Sequence, residues 1–338
     1  MFPCAVAEVG DATGVRWRAA LGAITFDKDA ARAAEDTCFD LASLTKPLAT
    51  TTVLLSLLES GRLDLDEPVA GVFPEWRGDD RASVTVRDLL EHAAGLPARL
   101  IDRPPASQRE FEHEICAAPL EYAPRTRTVY SDLGFILLGF LAAVRGRASL
   151  DQLFDSALAP LHGFEGRRLA ELGFSPANGR IQFAPTEPLD DDARRGRRLV
   201  GEVHDNYAAA LGGVAGHAGL FGTAGGVGVF ARSVLISAQG RPVQDAPLSP
   251  ALLSLATRRS GVEGSSRALG WDTMLVTSSC GRHMSPQAFG HVGFTGTSLW
   301  IDPVRDRYFV LLTNRACGGG SLEDMRTVRR AFHDAFAG

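Results

Sequence analysis

Two apolar-rich runs, Cys4 to Val9 and Val15 to Leu21, flank the turn-forming segment Gly10-Asp11-Ala12-Thr13-Gly14, the pattern of a β-hairpin. The period then lengthens. Over residues 43–60, Val53, Leu54, Leu57 and Leu58 share one helical face and Gly61 supplies a stop. Pro47 falls near the first turn, where its missing N–H costs least. The middle of the chain reads as helical. Thr85 is placed to cap Val86 to Leu90, and Ser131 or Asp132 to cap Leu133 to Val144. Strand patterns return at Phe289 to Gly293, Thr297 to Asp302 and Arg307 to Thr313, with Pro303-Val304-Arg305-Asp306 turning into the last. A closing amphipathic helix carries Leu322, Met325, Val328, Phe332 and Phe336.

A two-stranded hairpin is marginal alone, so the first pair of strands is expected to join the last three in one antiparallel sheet. The predicted class is α/β of the α+β kind. The sheet is built from both chain ends, with the final helix on one face and the 43–60 helix on the other. Residues 1–65 plus 261–338 form the sheet-helix domain. Residues 66–260 form an inserted, mainly helical lobe, and 1–338 make a single catalytic unit. The run Asp190-Asp191-Asp192 followed by Arg194, Arg195, Arg197 and Arg198 reads as a solvated loop.

The 338 residues are 45% hydrophobic and 22% charged, enough chain for a full globular core. A net charge of −5 argues against a nucleic-acid partner. The longest apolar stretch, Phe135 to Val144, is too short to span a membrane. Met1-Phe2-Pro3 shows no basic segment leading into an apolar one, so no signal peptide is expected and the cytoplasm is the expected compartment. A mature form stripped of its leader would be periplasmic or secreted. Five scattered cysteines fit free thiols in a reducing environment better than a disulfide framework.

Basic residues change the picture most. Of 35, only Lys28 and Lys46 are lysine. Arginine serves wherever a surface charge suffices, so a retained lysine asks for a reason. Lysine can shift its pKa and act as a base, which arginine cannot. Lys46 lies in Ser43-Leu44-Thr45-Lys46 at a predicted helix start, where hydroxyl and amine share one face. That arrangement suits a serine nucleophile with a lysine base. The helix start would offer the Ser43 N–H to a developing oxyanion. Partial burial near the positive helix end would disfavour the charged amine. Taken alone, the same residues also describe a capping serine and a surface lysine.

Two further groups join it. Tyr130-Ser131-Asp132 opens another helix. A tyrosine hydroxyl beside lysine can relay protons, and Asp132 can accept from Lys46 or hold a substrate amide. His291-Val292-Gly293-Phe294 lies on a late strand. Gly293 permits close approach of another backbone or a substrate. The Phe294 N–H offers a second oxyanion donor, and His291 a positive charge for an acyl carboxylate. An aromatic packing residue before an N-cap and a strand histidine beside a bulge are the plainer readings of each group alone.

The order Ser-x-x-Lys, Tyr-Ser-Asp, His-Val-Gly resembles the serine β-lactamase and penicillin-binding-protein superfamily, most closely its class C, DD-carboxypeptidase and esterase branch. Asp40 to Lys46, Leu63 to Asp66, Thr85 to His92 and Gly293 to Pro303 resemble its recurrent segments. The resemblance implies a site between a sheet-helix domain and a helical lobe, and acyl-serine catalysis with neither metal nor cofactor. It makes Ser43, Lys46 and Tyr130 catalytic, and Asp132, His291, Gly293 and Phe294 substrate-binding. Asp132 stands at a usual Asn, as in esterase-like members. His291 stands at a usual Lys. Val292 replaces a hydroxyl residue and so removes one hydrogen bond to a β-lactam carboxylate. The helix that usually precedes the first strand has no expected counterpart.

Gly201 to Asn206 and Gly212 to Gly219 resemble a subgroup that includes muropeptide amidases. His204, Asp205 and His217 are placed in or near the pocket, a pocket or structural role being preferred over metal ligation. The glycines of 212–228 suggest a close-packed loop. No G-x-x-x-x-G-K-[ST], G-x-S-x-G or H-E-x-x-H occurs. The expected function is a serine hydrolase, an esterase or amidase on small acyl or cell-wall-derived substrates. Muropeptide amidase, β-lactamase and DD-carboxypeptidase are alternatives, and a non-catalytic cell-wall binder or sensor is the alternative class. The expected partner is a small ester, amide or muropeptide.

Overall fold

The computed structural model describes residues 1–100, 104–161, 171–174, 182–241 and 246–337. The hairpin forms as β1 (Cys4–Asp11) and β2 (Gly14–Gly22). A short strand β3 (Phe39–Asp40) leads into a 3₁₀ turn, Ala42–Leu44. The expected 43–60 helix divides there: a wide π-type stretch, Lys46–Thr51, runs into α1 (Thr52–Glu59). The described lobe contains α2 (Val86–Leu90), α3 (Gln108–Ala117), α4 (Asp132–Gly146) and α5 (Leu150–Leu158). β4 (Leu172–Gly173), α6 (Asn206–Ala210), β5 (Phe221–Gly222), α7 (Ala224–Ala238), α8 (Pro250–Ala256) and β6 (Asp272–Thr273) follow. The chain closes with β7 (Phe289–Val292), β8 (Ser298–Asp302), β9 (Arg307–Thr313) and α9 (Leu322–Ala337).

The antiparallel sheet from both chain ends is present. Its order is β2-β1-β9-β8-β7-β6, one short edge strand more than expected. β1 pairs with β9 from Ala5 opposite Thr313 to Gly10 opposite Tyr308. Strand alternation sends Ala5, Ala7 and Leu311 toward Met325 and Phe332 of α9. Val6, Val310 and Leu312 enter the main core with Val229 and Phe230 of α7. The second face is therefore covered by α7, where we expected the 43–60 helix. Gly228 lets α7 come down on Glu8: a Cβ there would lie 1.9 Å from the Glu8 carboxylate. α7, assigned by sequence to the inserted lobe, thus packs on the sheet.

The lobe packs on α4, whose residues Leu133 to Ala142 are all buried. Its start is fixed by the Ser131 hydroxyl accepting from the Gly134 N–H at 3.3 Å. Thr85 and Asp88 form a full capping box on α2. Among the described residues no single helix is long and apolar enough to cross a membrane. All five cysteines are buried and free. The acidic-basic run is not simply solvated. Asp192 is buried and pairs with Arg194 at 2.6 Å, and Arg194 donates to the Val203 and His204 carbonyls. These two turn inward because their charges satisfy each other and buried backbone, while Asp190, Asp191, Arg195, Arg197 and Arg198 are exposed as expected.

Candidate active site

Ser43 sits just past a strained corner. Ala42 has φ of +48°, a left-handed conformation that costs a residue with a Cβ about 1–2 kcal/mol. Three contacts hold it. One Asp40 carboxylate oxygen accepts the Ala42 N–H at 2.8 Å, and the other accepts the His204 N–H at 2.6 Å. The Thr45 hydroxyl donates to the Ala42 carbonyl at 2.6 Å. Burial raises the Asp40 pKa to about 6, against the pull of those two N–H groups.

The β7–β8 turn is stitched to this corner. Thr295 donates to the Asp40 carbonyl at 2.7 Å and Thr297 to the Leu41 carbonyl at 2.9 Å. Arg329 of α9, itself buried, donates to the Gly293 and Thr297 carbonyls. A Cβ on Gly293 would lie 2.6 Å from the Leu41 carbonyl oxygen, so only glycine allows this approach. The Phe294 N–H has no acceptor among the described residues. It is free for a ligand, as an oxyanion donor must be.

Lys46 is fully buried. Its Nζ donates to Ser43 Oγ at 3.2 Å, Asp132 Oδ1 at 2.7 Å and the His217 carbonyl at 3.1 Å. Three partners satisfy the three ammonium hydrogens. The expectation of a disfavoured charge is corrected. Burial does oppose the ammonium, but the Asp132 carboxylate outweighs it, with Tyr130 assisting, and Lys46 is held above the usual lysine range. Tyr130 lies with its ring 4.7 Å from Nζ. Burial raises its pKa and the Lys46 charge resists, so the phenol rests protonated.

His291 is corrected in the same way. It is buried, and burial together with the charges of Arg267 and Lys46 holds its pKa well below the usual histidine range. Its Nδ1 lies 2.9 Å from the Val292 carbonyl, which can only accept, so Nδ1 carries the hydrogen. It cannot present a positive charge to a carboxylate. One cation beside it is Arg267, whose guanidinium lies 5.1 Å from the Tyr130 ring.

His204 stacks on the exposed Phe294 ring, centroids 5.4 Å apart and planes 19° apart, and burial depresses its pKa to about 4. Asp205 and His217 lie beside Lys46, joined by a 2.8 Å bond that His217 Nε2 donates to Asp205 Oδ1. Oxygens of Asp132 and Asp205 and a nitrogen of His217 converge within 4.8 Å. Lys46 and Arg99 already bind those carboxylates, so a cation would meet two positive charges there. The glycines near 216 serve packing. A Cβ on Gly216 would lie 1.9 Å from the Phe135 carbonyl oxygen, and the Gly216 carbonyl accepts from Thr50.

Sequence reasoning missed Arg99, His92, Arg267 and Arg329. His92 accepts the Ser131 N–H on Nδ1 at 3.1 Å and lies 4.7 Å from the Tyr130 ring, thereby fixing Tyr130. Arg99 had one signal. A carboxylate bound to lysine by one oxygen leaves the other to be satisfied, and where a cation does it in a chain with two lysines, arginine is the residue to look for.

This fold and this cluster define a hydrolase of the serine β-lactamase and penicillin-binding-protein superfamily. The family model described as Beta-lactamase matches residues 3–333, and the chain belongs to that family. A protein of Escherichia coli (strain K12) carrying a provisional D-alanyl-D-alanine carboxypeptidase name is 31% identical over 316 residues, 84% of this chain and 70% of that one. The solved structure of EstCE1, titled a hydrolase with promiscuous acyltransferase activity, aligns with a TM-score of 0.74 at 20% identity, covering 98% and 94% of the two chains. A β-lactamase from Mycobacterium bovis aligns with a TM-score of 0.63 at 23% identity, covering 99% and 94%.

Proposed function

We propose that the protein hydrolyses a small ester or amide through an acyl-Ser43 intermediate. The observation that carries this reading is the buried Lys46 Nζ at 3.2 Å from Ser43 Oγ, with the unpaired Phe294 N–H on the facing turn. Ser43 Oγ attacks the carbonyl carbon as its proton passes to the Lys46–Tyr130 pair, which has first given up one proton, and the oxyanion lies between the Ser43 and Phe294 N–H groups. Tyr130 passes a proton to the leaving group, the carbonyl–heteroatom bond breaks, and water later hydrolyses the acyl-serine. Both Lys46 and Tyr130 rest protonated. One proton must therefore leave that pair before Ser43 becomes nucleophilic, and kcat/KM rises with pH across that ionisation.

A second reading narrows the substrate to a peptide with a free carboxylate. Arg267 beside Tyr130 supplies the positive charge that His291 lacks, and the Escherichia coli relative's carboxypeptidase name agrees in class. The absent hydroxyl at Val292 weighs against β-lactams.

Intact-mass analysis after a fluorophosphonate probe tests the mechanism. Wild type should gain one adduct and Ser43→Ala none; equal labelling refutes acyl-serine chemistry. A panel of p-nitrophenyl acetate, a D-alanyl-D-alanine peptide, a muropeptide and nitrocefin then ranks substrates. Nitrocefin is expected last, and no turnover of any would favour a binder that only acylates.

A further inference from the structure

Asp132 is the residue by which this site departs most from an amide at the same place, and its two oxygens have separate duties. Oδ1 binds Lys46 at 2.7 Å and Oδ2 binds Arg99 Nη1 at 2.9 Å. Arg99 Nη1 also binds Asp205 Oδ2 at 2.8 Å, and Nη2 binds Asn206 Oδ1 at 2.8 Å. Its guanidinium lies 4.0 Å from the Tyr207 ring. Arg99 touches neither Ser43 nor the two oxyanion donors.

We propose that Arg99 is a positioning residue that sets the proton affinity of the Lys46–Tyr130 pair, by drawing the Asp132 carboxylate away from Lys46. The inference rests on the acyl-serine reading above. An ammonium bound to a carboxylate gives up its proton more readily when that carboxylate also binds a second cation. Arg99 stays charged throughout, so its pull is constant with pH. Its split grip matters too: charge spent on Asp205 is not available to Asp132.

The other groups facing Lys46 are Ser43, Tyr130, the His217 carbonyl and, through space, the neutral His92 and His291. Those facing Asp132 are Lys46, Arg99, His217 and Asp205. Arg267 adds a positive charge on the Tyr130 side. Among the described residues Arg99 alone donates hydrogen bonds to both carboxylates, His217 bonding Asp205 and facing Asp132 without a bond to it.

The test is the pH profile of kcat/KM for p-nitrophenyl acetate, with probe labelling of Ser43 and a thermal melt on each variant. Arg99→Gln should move the rising limb up by about one pH unit and keep the high-pH plateau. Below the limb that is a roughly tenfold loss. Arg99→Lys should restore part of the shift. Asp205→Asn, which keeps the helix cap, should move the limb the opposite way by freeing Arg99 for Asp132. A lower plateau with an unmoved limb in Arg99→Gln overturns the proposal. If Arg99→Gln does not fold, Asp205→Asn decides, a limb that stays or rises counting against it. Equal labelling of wild type and Ser43→Ala would sink the acyl-serine reading instead.

Discussion

Gly293→Ala isolates the contact between the β7–β8 turn and the Ser43 corner. The added Cβ would lie 2.1 Å from Thr297 Oγ1, 2.6 Å from the Leu41 carbonyl oxygen and 3.3 Å from the Ala42 Cβ. Heavy atoms settle near 3.5 Å, so turn and corner must part by about 1 Å. The turn cannot yield freely, because Arg329 pins its carbonyls and Thr295 and Thr297 tie it to Asp40 and Leu41. The Thr297–Leu41 bond is then lost, at about 1 kcal/mol, and the variant still folds. Activity suffers more. Phe294 follows Gly293, so its N–H moves away from Ser43. A displacement of about 1 Å between reacting groups costs on the order of 10²-fold in rate. We expect kcat/KM for p-nitrophenyl acetate to fall about that much, with kcat carrying most of it, and thermal unfolding to shift only modestly. Gly261→Ala, where a Cβ meets nothing within 4 Å, is the control. Gly293→Ala retaining turnover within about threefold of the control would refute the claim that this close approach sets the site.

Lys46→Arg keeps the charge but cannot release it, and it must fit a larger head where Nζ is fully enclosed; circular dichroism should show folded protein and ester turnover a loss of at least ~10²-fold. Asp40 has a folded pKa of about 6, above its ordinary 3.8, so it favours the folded state below about pH 4 and loses that contribution as pH rises through 6. The full contribution is about 3 kcal/mol, of which about 2 kcal/mol is lost between pH 4.5 and 7.5, and denaturant titrations at those two pH values should show a shallower pH dependence in Asp40→Asn; identical slopes would contradict the assignment. Gly216→Ala forces a Cβ onto the Phe135 carbonyl and should cost about 1–3 kcal/mol in the same titration, with no loss meaning that loop and α4 slide apart freely.

The sheet was legible because its strands and turns are marked locally. Cys4 to Leu21 and Phe289 to Thr313 fall within a residue or two of the observed strands. What covers the second face was not legible. α1 and α7 are both apolar helices, and only the glycine at 228, set against Glu8, tells which one can lie on β1. The break of the first helix into 3₁₀, π and α parts was also hidden, since it follows from packing Ser43 and Lys46 against other segments. Ser43, Lys46, Tyr130 and Asp132 do come together. Their protonation did not follow from residue type. Lys46 was expected to have its charge disfavoured by partial burial near a positive helix end, and His291 to carry a charge at the place of a usual lysine. Each state is reversed by neighbours far away in sequence: Asp132 for the lysine, and enclosure beside Arg267 for the histidine.

Those two reversals are linked through charge. Relative to an amide at 132 and a lysine at 291, this site has gained one negative charge and lost one positive. Two arginines stand beside these groups: Arg99, bonded to Asp132, and Arg267, against Tyr130. Neither belongs to a motif, and arginine is the cation this composition supplies. A single change back toward the commoner pattern is therefore not a restoration. Asp132→Asn would leave Arg99 on Asp205 and Asn206 alone and strip Lys46 of its carboxylate. Lys46 would then keep only Ser43 and the His217 carbonyl as acceptors beside whatever the amide oxygen offers, in a site where burial already opposes its charge. The amine would lose its proton more easily, yet the unbalanced arginine would pull at Asp205 and, through it, at the His217 segment that holds Lys46 in place. Position 132 and Arg99 must be exchanged together before the two chemistries can be compared on equal terms.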